Sequence, residues 1–303
     1  MTTYKPFSVF LTTQNLKMNV ENIELKKLGK SALTTLLNWA AIEGWNPGKY
    51  DVEVFWNTDP NGFYGFYYND KLIAGGAIIS YNSEFGFMGL FIVHKDFRNQ
   101  GIGNKLWQLR RNLLINRLND NAAIGMDGVV QMQAFYNKGG FNLAYRDERY
   151  QFNSATITFS TDVSMINKAD YENIMAYDAA YFGCRRSIFL ENWLSMPESK
   201  AIKYTKHNIV IGYAVIRKAE TGYKIGPLFA NNENIAEELF KSCLSFAPND
   251  LVFLDIPTTN NNAVNLVKKY KGKYIFECGR MYHGAFPKIN INNIYGITTF
   301  ELG

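Results

Sequence analysis

The feature that most constrains the fold is a glycine loop that joins an apolar run to an amphipathic helical pattern. The apolar run covers residues 88–93, the loop covers residues 98–103 (Arg-Asn-Gln-Gly-Ile-Gly), and leucines follow at helical spacing from Leu106 to Leu114. This order predicts a strand, a turn and a helix. Glycines let backbone N–H groups crowd around an anion, the first turn of a helix offers unpaired amides, and Arg98 adds a positive charge. The loop therefore predicts a phosphate-binding site.

The spacing of the glycines narrows the class of phosphate compound. A dinucleotide site needs Gly-x-Gly-x-x-Gly, and an NTPase needs Gly-x-x-x-x-Gly-Lys followed by Ser or Thr; neither pattern occurs in the chain. Residues 98–103 instead resemble the pyrophosphate loop of the GNAT superfamily of N-acetyltransferases, which binds the diphosphate of coenzyme A. Residues 135–141 (Phe-Tyr-Asn-Lys-Gly-Gly-Phe) resemble the Tyr-x-x-x-Gly-Phe signature of the same enzymes. The alternative is a glycine-bearing turn without a ligand.

The order of elements in residues 17–152 also resembles the GNAT fold. We expect residues 1–16 to form a short leading arm, and a strand to follow at Glu21–Leu28. A helix should begin with Ser31 as its N-cap and end at the glycine and proline of residues 44–48. The remaining predicted elements are three antiparallel strands at 62–68, 72–81 and 85–93, a helix at 104–118, a strand at 122–126, a helix at 131–138 and a last strand at 141–152.

The second half of the chain is a diverged copy of the first. Residues 72–79 match 209–216, residues 126–127 match 254–255, and residues 140–150 match 272–282, in the same order. Such ordered matches indicate a duplicated unit, the alternative being chance similarity between β-rich segments. The fourth strand of the copy leads into residues 226–233, which contain neither an arginine nor a glycine pair. Only the first half should bind the cofactor.

The predicted fold class is therefore α/β (α+β), with two tandem GNAT-like domains. Each domain should contain a mixed, mostly antiparallel twisted sheet flanked by helices, with the first domain at residues 1–152 and the degenerate second domain at residues 153–303. The motifs at residues 43–48, 126–129 and 226–230 and the ending at 295–303 together resemble a group of two-domain GNAT proteins. In that group the second domain lacks a working cofactor loop.

Composition excludes several other classes. The net charge of +5 is spread along the chain without a basic run, so nucleic acid is not indicated. The three cysteines and three histidines have no metal-site spacing, so neither a metal nor a disulfide framework is expected. The start of the chain lacks a leader pattern, and no stretch approaches the roughly 18 apolar residues of a membrane span. We expect a cytoplasmic protein.

The resemblance implies that acetyl-CoA lies in the V between the fourth and fifth strands. It further implies that Tyr136 protonates the leaving thiolate, the alternative being an aromatic side chain of the core. The implied cofactor-binding residues are Phe91, Ile92, Val93, Arg98, Asn99, Gln100, Gly101, Ile102, Gly103 and Asn104.

The general base is not fixed by the sequence. Many GNAT relatives carry a glutamate on the fourth strand, but residues 87–91 contain no carboxylate. The candidates are Asp127, Glu43 or a chain of water molecules. Because Asp127 recurs as Asp255 in the second half, a role in the fold is favoured for both. His94 is expected to be a solvated or hydrogen-bonded side chain.

The acceptor pocket is predicted at the loop that carries Glu43, Trp45 and Asn46, with Asp127 and the facing surface of residues 171–186 as further walls. Carboxylates and aromatic faces attract ammonium groups, so a small cationic amine would suit it. We expect an acetyl-CoA-dependent N-acetyltransferase that acts on a primary amine of a small molecule. The alternatives are a non-catalytic acyl-CoA-binding or interaction protein and a protein N-acetyltransferase.

Overall fold

The computed structural model describes residues 22–247 and 249–303. The predicted arm at residues 1–16 lies outside this part of the chain. The helices of the described part are α1 (Lys30–Ile42), α2 (Asp51–Thr58), α3 (Ile102–Ile115), α4 (Gln133–Lys138), α5 (Tyr171–Phe182), α6 (Ser187–Trp193), α7 (Glu233–Phe246) and α8 (Asn261–Lys269). Its strands are β1 (Ile23–Lys27), β2 (Phe63–Tyr68), β3 (Lys71–Tyr81), β4 (Phe85–Val93), β5 (Ala123–Val129), β6 (Asn142–Asn153), β7 (Val163–Met165), β8 (Ser199–Lys206), β9 (Ile209–Lys218), β10 (Tyr223–Ala230), β11 (Leu251–Pro257), β12 (Lys273–His283) and β13 (Ile294–Gly296).

These strands form one continuous sheet in the order β1-β2-β3-β4-β5-β12-β6-β11-β10-β9-β8-β7, with β13 beside β10. Two pairs of neighbours, β4 with β5 and β10 with β11, are parallel among the described strands, and the other pairs are antiparallel. Each half of the chain thus contributes the mixed, mostly antiparallel sheet that the sequence predicts. The predicted fold class is confirmed, and the two sheets are joined edge to edge.

The two halves exchange their long last strands at the centre of this sheet. Strand β12 of the second half lies beside β5 of the first, and β6 of the first half lies beside β11 of the second. The two exchanged strands also pair with each other. The division at residues 152 and 153 stays a prediction about sequence units, because the folded halves interlock across it.

Two buried ion pairs join the exchanged strands. Asp127 on β5 lies directly opposite Arg280 on β12, with Nε–Oδ1 and Nη2–Oδ2 distances of 2.7 and 2.9 Å. Asp255 on β11 lies opposite Arg149 on β6 at 2.6 and 2.7 Å. A slip of one residue would turn the partners to opposite faces and leave buried charges unpaired, so these pairs fix the register. This is the fold role that the recurrence of the two aspartates indicated.

The start of the first helix differs from the prediction. Helix α1 begins at Lys30 with Gly29 in the N-cap position, and no side chain caps it. Ser31 lies within the helix. The predicted apolar face is present, because Leu33, Leu36 and Leu37 are buried together with Ala40.

Helix α2 was not predicted from the sequence. Its first residue, Asp51, is fully buried, and its carboxylate accepts a hydrogen bond from Gly48 N at 2.7 Å. The same carboxylate pairs with Arg217 on β9, with an Nε–Oδ1 distance of 3.1 Å. Because that partner lies 166 residues away in sequence, no local sequence pattern predicts the helix.

Candidate active site

A fork between β4 and β5 positions the site. The two strands pair only at Phe85–Phe87, and β4 then continues to Val93 without β5. The β3–β4 register shifts in the same region, and Leu90 takes a positive φ of 47°, an unfavourable conformation for a bulky side chain. The bulge turns β4 away from β5, which leaves backbone groups facing the gap.

A cavity of about 1080 Å³ occupies this fork. Strand β12 and residues 300–301 of the second half form part of its wall. The lining residues are Glu43, Gly44, Trp45, Met88–Val93, Phe97–Asn99, Gly101, Gly103, Asn104, Met126, Asp127, Val129–Met132, Phe135, Tyr136, Tyr274–Cys278, Phe300 and Glu301.

The glycine loop forms the wide end of the cavity. Gly101 has a positive φ of 76° and is the N-cap of α3, so the first amides of this helix face the loop. Arg98, Asn99 and Gly103 also line the cavity, as does Asn104. The predicted phosphate loop therefore has an anion-binding arrangement and opens into the same space as the strand fork.

Two predicted cofactor residues turn their side chains elsewhere. The Gln100 side chain donates a weak hydrogen bond of 3.4 Å to Asp96 O, and the Ile102 side chain is buried beside Phe66 and Ile73. Neither residue lines the cavity. These two residues could therefore contact a cofactor only through their backbone groups, as Ile102 does with the first amide of α3, and their assignment stays a prediction.

The sequence predicts that Phe91, Ile92 and Val93 lie beside the cofactor. All three residues line the cavity. Below this edge, the fully buried Arg110 on α3 donates to Gly89 O at 2.9 Å and stacks on the Phe91 ring at 5.1 Å. Burial lowers the pKa of Arg110 to about 9. Arg110 thus anchors the carbonyl that precedes the bulge.

Tyr136 lies on α4 and is only 5% exposed, yet it reaches the cavity wall. Its ring packs against Trp107 and Phe135, with centroids 5.9 and 5.6 Å apart. Burial raises the pKa of Tyr136 to about 12, although the charge of Arg110 acts in the opposite direction. The phenol is therefore protonated at neutral pH.

Asp127 also lines the cavity, and its side chain is fully buried. Both carboxylate oxygens accept hydrogen bonds from Arg280. This bidentate ion pair gives Asp127 a role in the fold, and its assignment as the general base stays a prediction.

Glu43 and Trp45 lie on the same loop, but their contacts differ. Glu43 accepts a hydrogen bond from Arg98, whose Nε also donates to Val93 O at 2.9 Å, so Glu43 lies at the phosphate loop. Trp45 lines the cavity, and its backbone carbonyl accepts from Arg149 at 2.8 Å. The prediction for Asn46 is wrong, because its side chain exchanges two hydrogen bonds of 2.8 and 2.9 Å with the backbone of Thr221.

The predicted wall at residues 171–186 does not line the cavity. Asp178 and Arg186 form a fully buried ion pair with distances of 2.7 and 2.8 Å, and Arg185 pairs with Glu172 on the surface. The second half contributes β12 and residues 300–301 in their place. Sequence reasoning missed these residues because the strand exchange that brings them here is a long-range pairing.

Residues 299–301 cross β4 immediately before the bulge. A Cβ atom added to Gly89 would lie 1.8 Å from the carbonyl oxygen of Glu301, so only glycine fits there. Nearby, Tyr81 donates a hydrogen bond of 2.9 Å to Leu302 O. Gly89 therefore permits a segment of the second half to form the inner wall of the cavity.

We expect Gly89→Ala to destabilise the protein by about 1–3 kcal/mol, since the obstructing atom belongs to the backbone and cannot rotate away. Thermal unfolding should show a midpoint several degrees below that of the wild type. Gly29→Ala is the matched control, because a Cβ atom there meets nothing within 4 Å. Equal midpoints for the two variants would mean that the 299–301 segment adapts without cost.

The second half has an equivalent fork, but it is filled. Strands β10 and β11 pair at Tyr223–Ile225 and then separate. Strand β13 occupies the gap and pairs with β10 at Leu228 and Phe229. The small cavity nearby, with Tyr145 and Arg280 in its walls, has a volume of about 20 Å³.

Two further observations complete the description of this part of the chain. Within residues 22–247 and 249–303, no three His, Cys, Asp or Glu side chains gather closely enough to hold a metal ion. In the same residues, no helix combines the length and the apolar character needed to cross a membrane.

His94 is hydrogen-bonded, with Nδ1 accepting from Asp96 N at 3.4 Å.

Comparison with known proteins gives matches over both halves. The profile of the Acetyltransferase (GNAT) family matches residues 27–141, and that of an Acetyltransferase (GNAT) domain matches residues 174–296. Holothin acyltransferase of Pseudoalteromonas sp. (strain SANK 73390) is 30% identical over 267 residues, which cover 88% of this chain and 89% of that protein.

Two further relatives extend this comparison. The uncharacterized N-acetyltransferase YitH of Bacillus subtilis (strain 168) is 26% identical over 247 residues, which cover 79% of this chain and 84% of that protein. The crystal structure of a putative acetyltransferase from Pyrococcus horikoshii superposes with a TM-score of 0.81 at 22% identity, covering 96% of this chain and 98% of that one. The last likeness concerns the fold alone.

Proposed function

Because the chain belongs to the GNAT family of acyltransferases, we propose that it transfers an acetyl group from acetyl-CoA to a primary amine of a small molecule. One observation carries this proposal: a single cavity is lined by the glycine loop, the open edge of β4 and Tyr136. An acetyl thioester bound there would supply an activated acyl group.

The residues present fit coenzyme A. Arg98 and the amides at the start of α3 would hold the diphosphate, since together they provide a charge and several donors. The backbone of Phe91–Val93 would orient the pantetheine arm, which carries amides of its own. A backbone N–H of β4 would polarise the acetyl carbonyl.

Tyr136 is proposed as the general acid. Acyl transfer from a thioester leaves a thiolate that needs a proton. The phenol keeps its proton at neutral pH because burial raises its pKa to about 12. The buried cation of Arg110 partly compensates the phenolate that remains after the transfer.

The acceptor is proposed to be a small molecule because the second half narrows the cavity. Strand β12 and residues 300–301 add side chains of the second half to the wall of the cavity, which reduces the space for a peptide. The name of the similar protein holothin acyltransferase indicates that it acts on holothin; we carry over only the expectation of a small acceptor. A protein N-acetyltransferase is less compatible with this closed wall.

The experiment that tests the proposal is an amine panel with acetyl-CoA, followed by release of free thiol. The panel should include polyamines, amino sugars, amino acids and aromatic amines. Thiol release that depends on one amine class supports the proposal. Stoichiometric binding of acetyl-CoA without turnover on any amine would favour the alternative of a non-catalytic acyl-CoA-binding protein.

We expect Trp45→Ala to raise the acceptor KM about tenfold at saturating acetyl-CoA, because the ring is an aromatic wall held by the Arg149 contact to its carbonyl. Glu43→Ala is the second test variant, because Glu43 lines the same cavity but pairs with Arg98; a raised acceptor KM would show that its carboxylate also meets the amine. The matched control is Trp56→Ala, whose ring lies outside the cavity against Phe63. Unchanged KM and kcat/KM in both test variants would make the loop structural.

A further inference from the structure

A carboxylate from the second half stands beside the bulge of β4. Glu301 lines the cavity although only 2% of its side chain is exposed. Its backbone packs on Gly89, immediately before Leu90 in the bulge. A carboxylate thus reaches the wall of the cavity beside β4 from a segment more than 200 residues away.

Two side chains hold this carboxylate from behind. Thr299 donates its hydroxyl hydrogen to Oε2 of Glu301. Lys224 on β10 places Nζ 4.0 Å from Oε1, and this Nζ is buried with no hydrogen-bond partner among the described residues. Lys224 is thus a positioning residue that compensates the buried negative charge without occupying the hydrogen-bonding capacity of Oε1.

The other charges around Glu301 are already paired. Arg217 on β9 binds Asp51, Arg149 on β6 binds Asp255, and Arg280 on β12 binds Asp127. Burial by itself would raise the pKa of Glu301, but Lys224, the Thr299 hydroxyl, Arg217 and Arg149 together hold it below the ordinary value. The carboxylate is therefore ionised at neutral pH.

Attack by an amine requires such a group. An aliphatic amine is an ammonium ion at neutral pH and has no lone pair for the carbonyl carbon. Asp127 and Glu43 are less suited to this task, since each is already paired with an arginine, Asp127 with Arg280 and Glu43 with Arg98. Oε1 of Glu301 accepts no hydrogen bond from the described residues, since Thr299 binds Oε2 and Lys224 Nζ lies 4.0 Å away.

We propose that Glu301 is the general base that deprotonates the acceptor ammonium, directly or through one water molecule; this assignment rests on the proposed acetyltransferase function. Two protons leave the acceptor nitrogen in all. Glu301 takes the first from the ammonium and passes it to solvent; the nitrogen loses the second after the attack, and through solvent this proton restores the Tyr136 phenol that has protonated sulfur. The new bond joins nitrogen to the acetyl carbon, and the carbon–sulfur bond breaks with its electron pair on sulfur.

The test is the pH profile of the acceptor kcat/KM for the wild type and Glu301→Gln, with the best aliphatic amine from the panel. The wild type should be nearly flat between about pH 6 and pH 8, because Glu301 is ionised throughout. In the variant only the free amine reacts, so log kcat/KM should rise with a slope of about one. The loss should be roughly 100-fold or more near pH 7 and should shrink toward the pKa of the amine.

Two further variants guard against a merely structural effect. Glu301→Gln leaves Lys224 without a counter-charge, so the double variant Glu301→Gln/Lys224→Met removes both charges and should show the same sloping profile. Lys224→Met alone should move the acid limb of the profile to higher pH, since the carboxylate loses its nearest cation. Asp59→Asn is the matched control, because it breaks the Arg117 ion pair outside the cavity.

The outcomes separate the inference from the proposed function. A folded Glu301→Gln or double variant with a flat profile parallel to the wild type overturns the role of Glu301 and leaves the transferase proposal intact. A wild type that binds acetyl-CoA and acetylates no amine overturns the proposed function, and the inference with it. A sloping profile in Asp59→Asn would also overturn the inference, because it would assign the effect to stability.

Discussion

Arg98→Ala is expected to weaken acetyl-CoA binding by about 10- to 100-fold. The Arg98 guanidinium is oriented by the Val93 carbonyl at 2.9 Å, so little side-chain entropy is lost when it meets a diphosphate. Charge-assisted hydrogen bonds contribute roughly 1.5–3 kcal/mol each, and 1.4 kcal/mol corresponds to a factor of ten in Kd. Isothermal titration calorimetry should give this change in Kd, with one site per chain for the wild type.

Two controls define what Arg98 contributes. Lys95→Ala removes a nearby positive charge that does not line the cavity, so its Kd should change little. Arg98→Lys keeps the charge but loses the planar donor pair, so its Kd should be intermediate. An Arg98→Ala protein with wild-type affinity would refute the predicted phosphate site, and two equivalent sites per chain would contradict the filled fork at β13.

The phosphate loop was predictable because all its determinants are contiguous. A strand, two glycines and a helix start lie within one short stretch, and local sterics decide their geometry. Even in this loop, the pattern did not distinguish residues whose side chains face the cavity from residues that can contribute only backbone groups to it. Ile102 shows the difference, since its side chain packs in the core while Gly101 and Gly103 face the cavity.

The strand exchange could not be predicted, for a physical reason. Strands β6 and β12 are diverged copies of one another, so their alternation and apolar patterns fit either sheet position equally well. The choice depends on the connections and on the whole packed core, which no local pattern encodes.

This ambiguity explains which site residues were missed. Local patterns place neither β12 nor Glu301 beside the first half, so the sequence indicates only Asp127, Glu43 or a chain of water molecules as the base. The repeated aspartate was the informative signal, since it indicated a fold role at Asp127 and Asp255. Its arginine partners follow only from the observed pairing of the strands.

Tyr136→Phe is expected to lower kcat by about 10²–10⁴-fold, the usual contribution of a general acid. The ring contacts with Trp107 and Phe135 persist in phenylalanine, so folding and acetyl-CoA affinity should stay close to those of the wild type. A proton donor to the leaving sulfur acts mainly in the transition state, and its loss therefore appears in kcat rather than in binding. Steady-state kinetics with the best acceptor, together with calorimetry, separates the two effects.

The interpretation of that result depends on which step limits turnover. Single-turnover measurements with excess enzyme should show the loss in the chemical step itself, since slow product release would hide it in kcat. A thioester with a more acidic leaving thiol should be transferred with a smaller loss, because its thiolate needs the proton less. Tyr204→Phe, which removes a hydroxyl bound to Asp162 outside the cavity, is the matched control. If the chemical step is unchanged in Tyr136→Phe, Tyr136 is a packing residue of α4, and the leaving thiolate takes its proton from water.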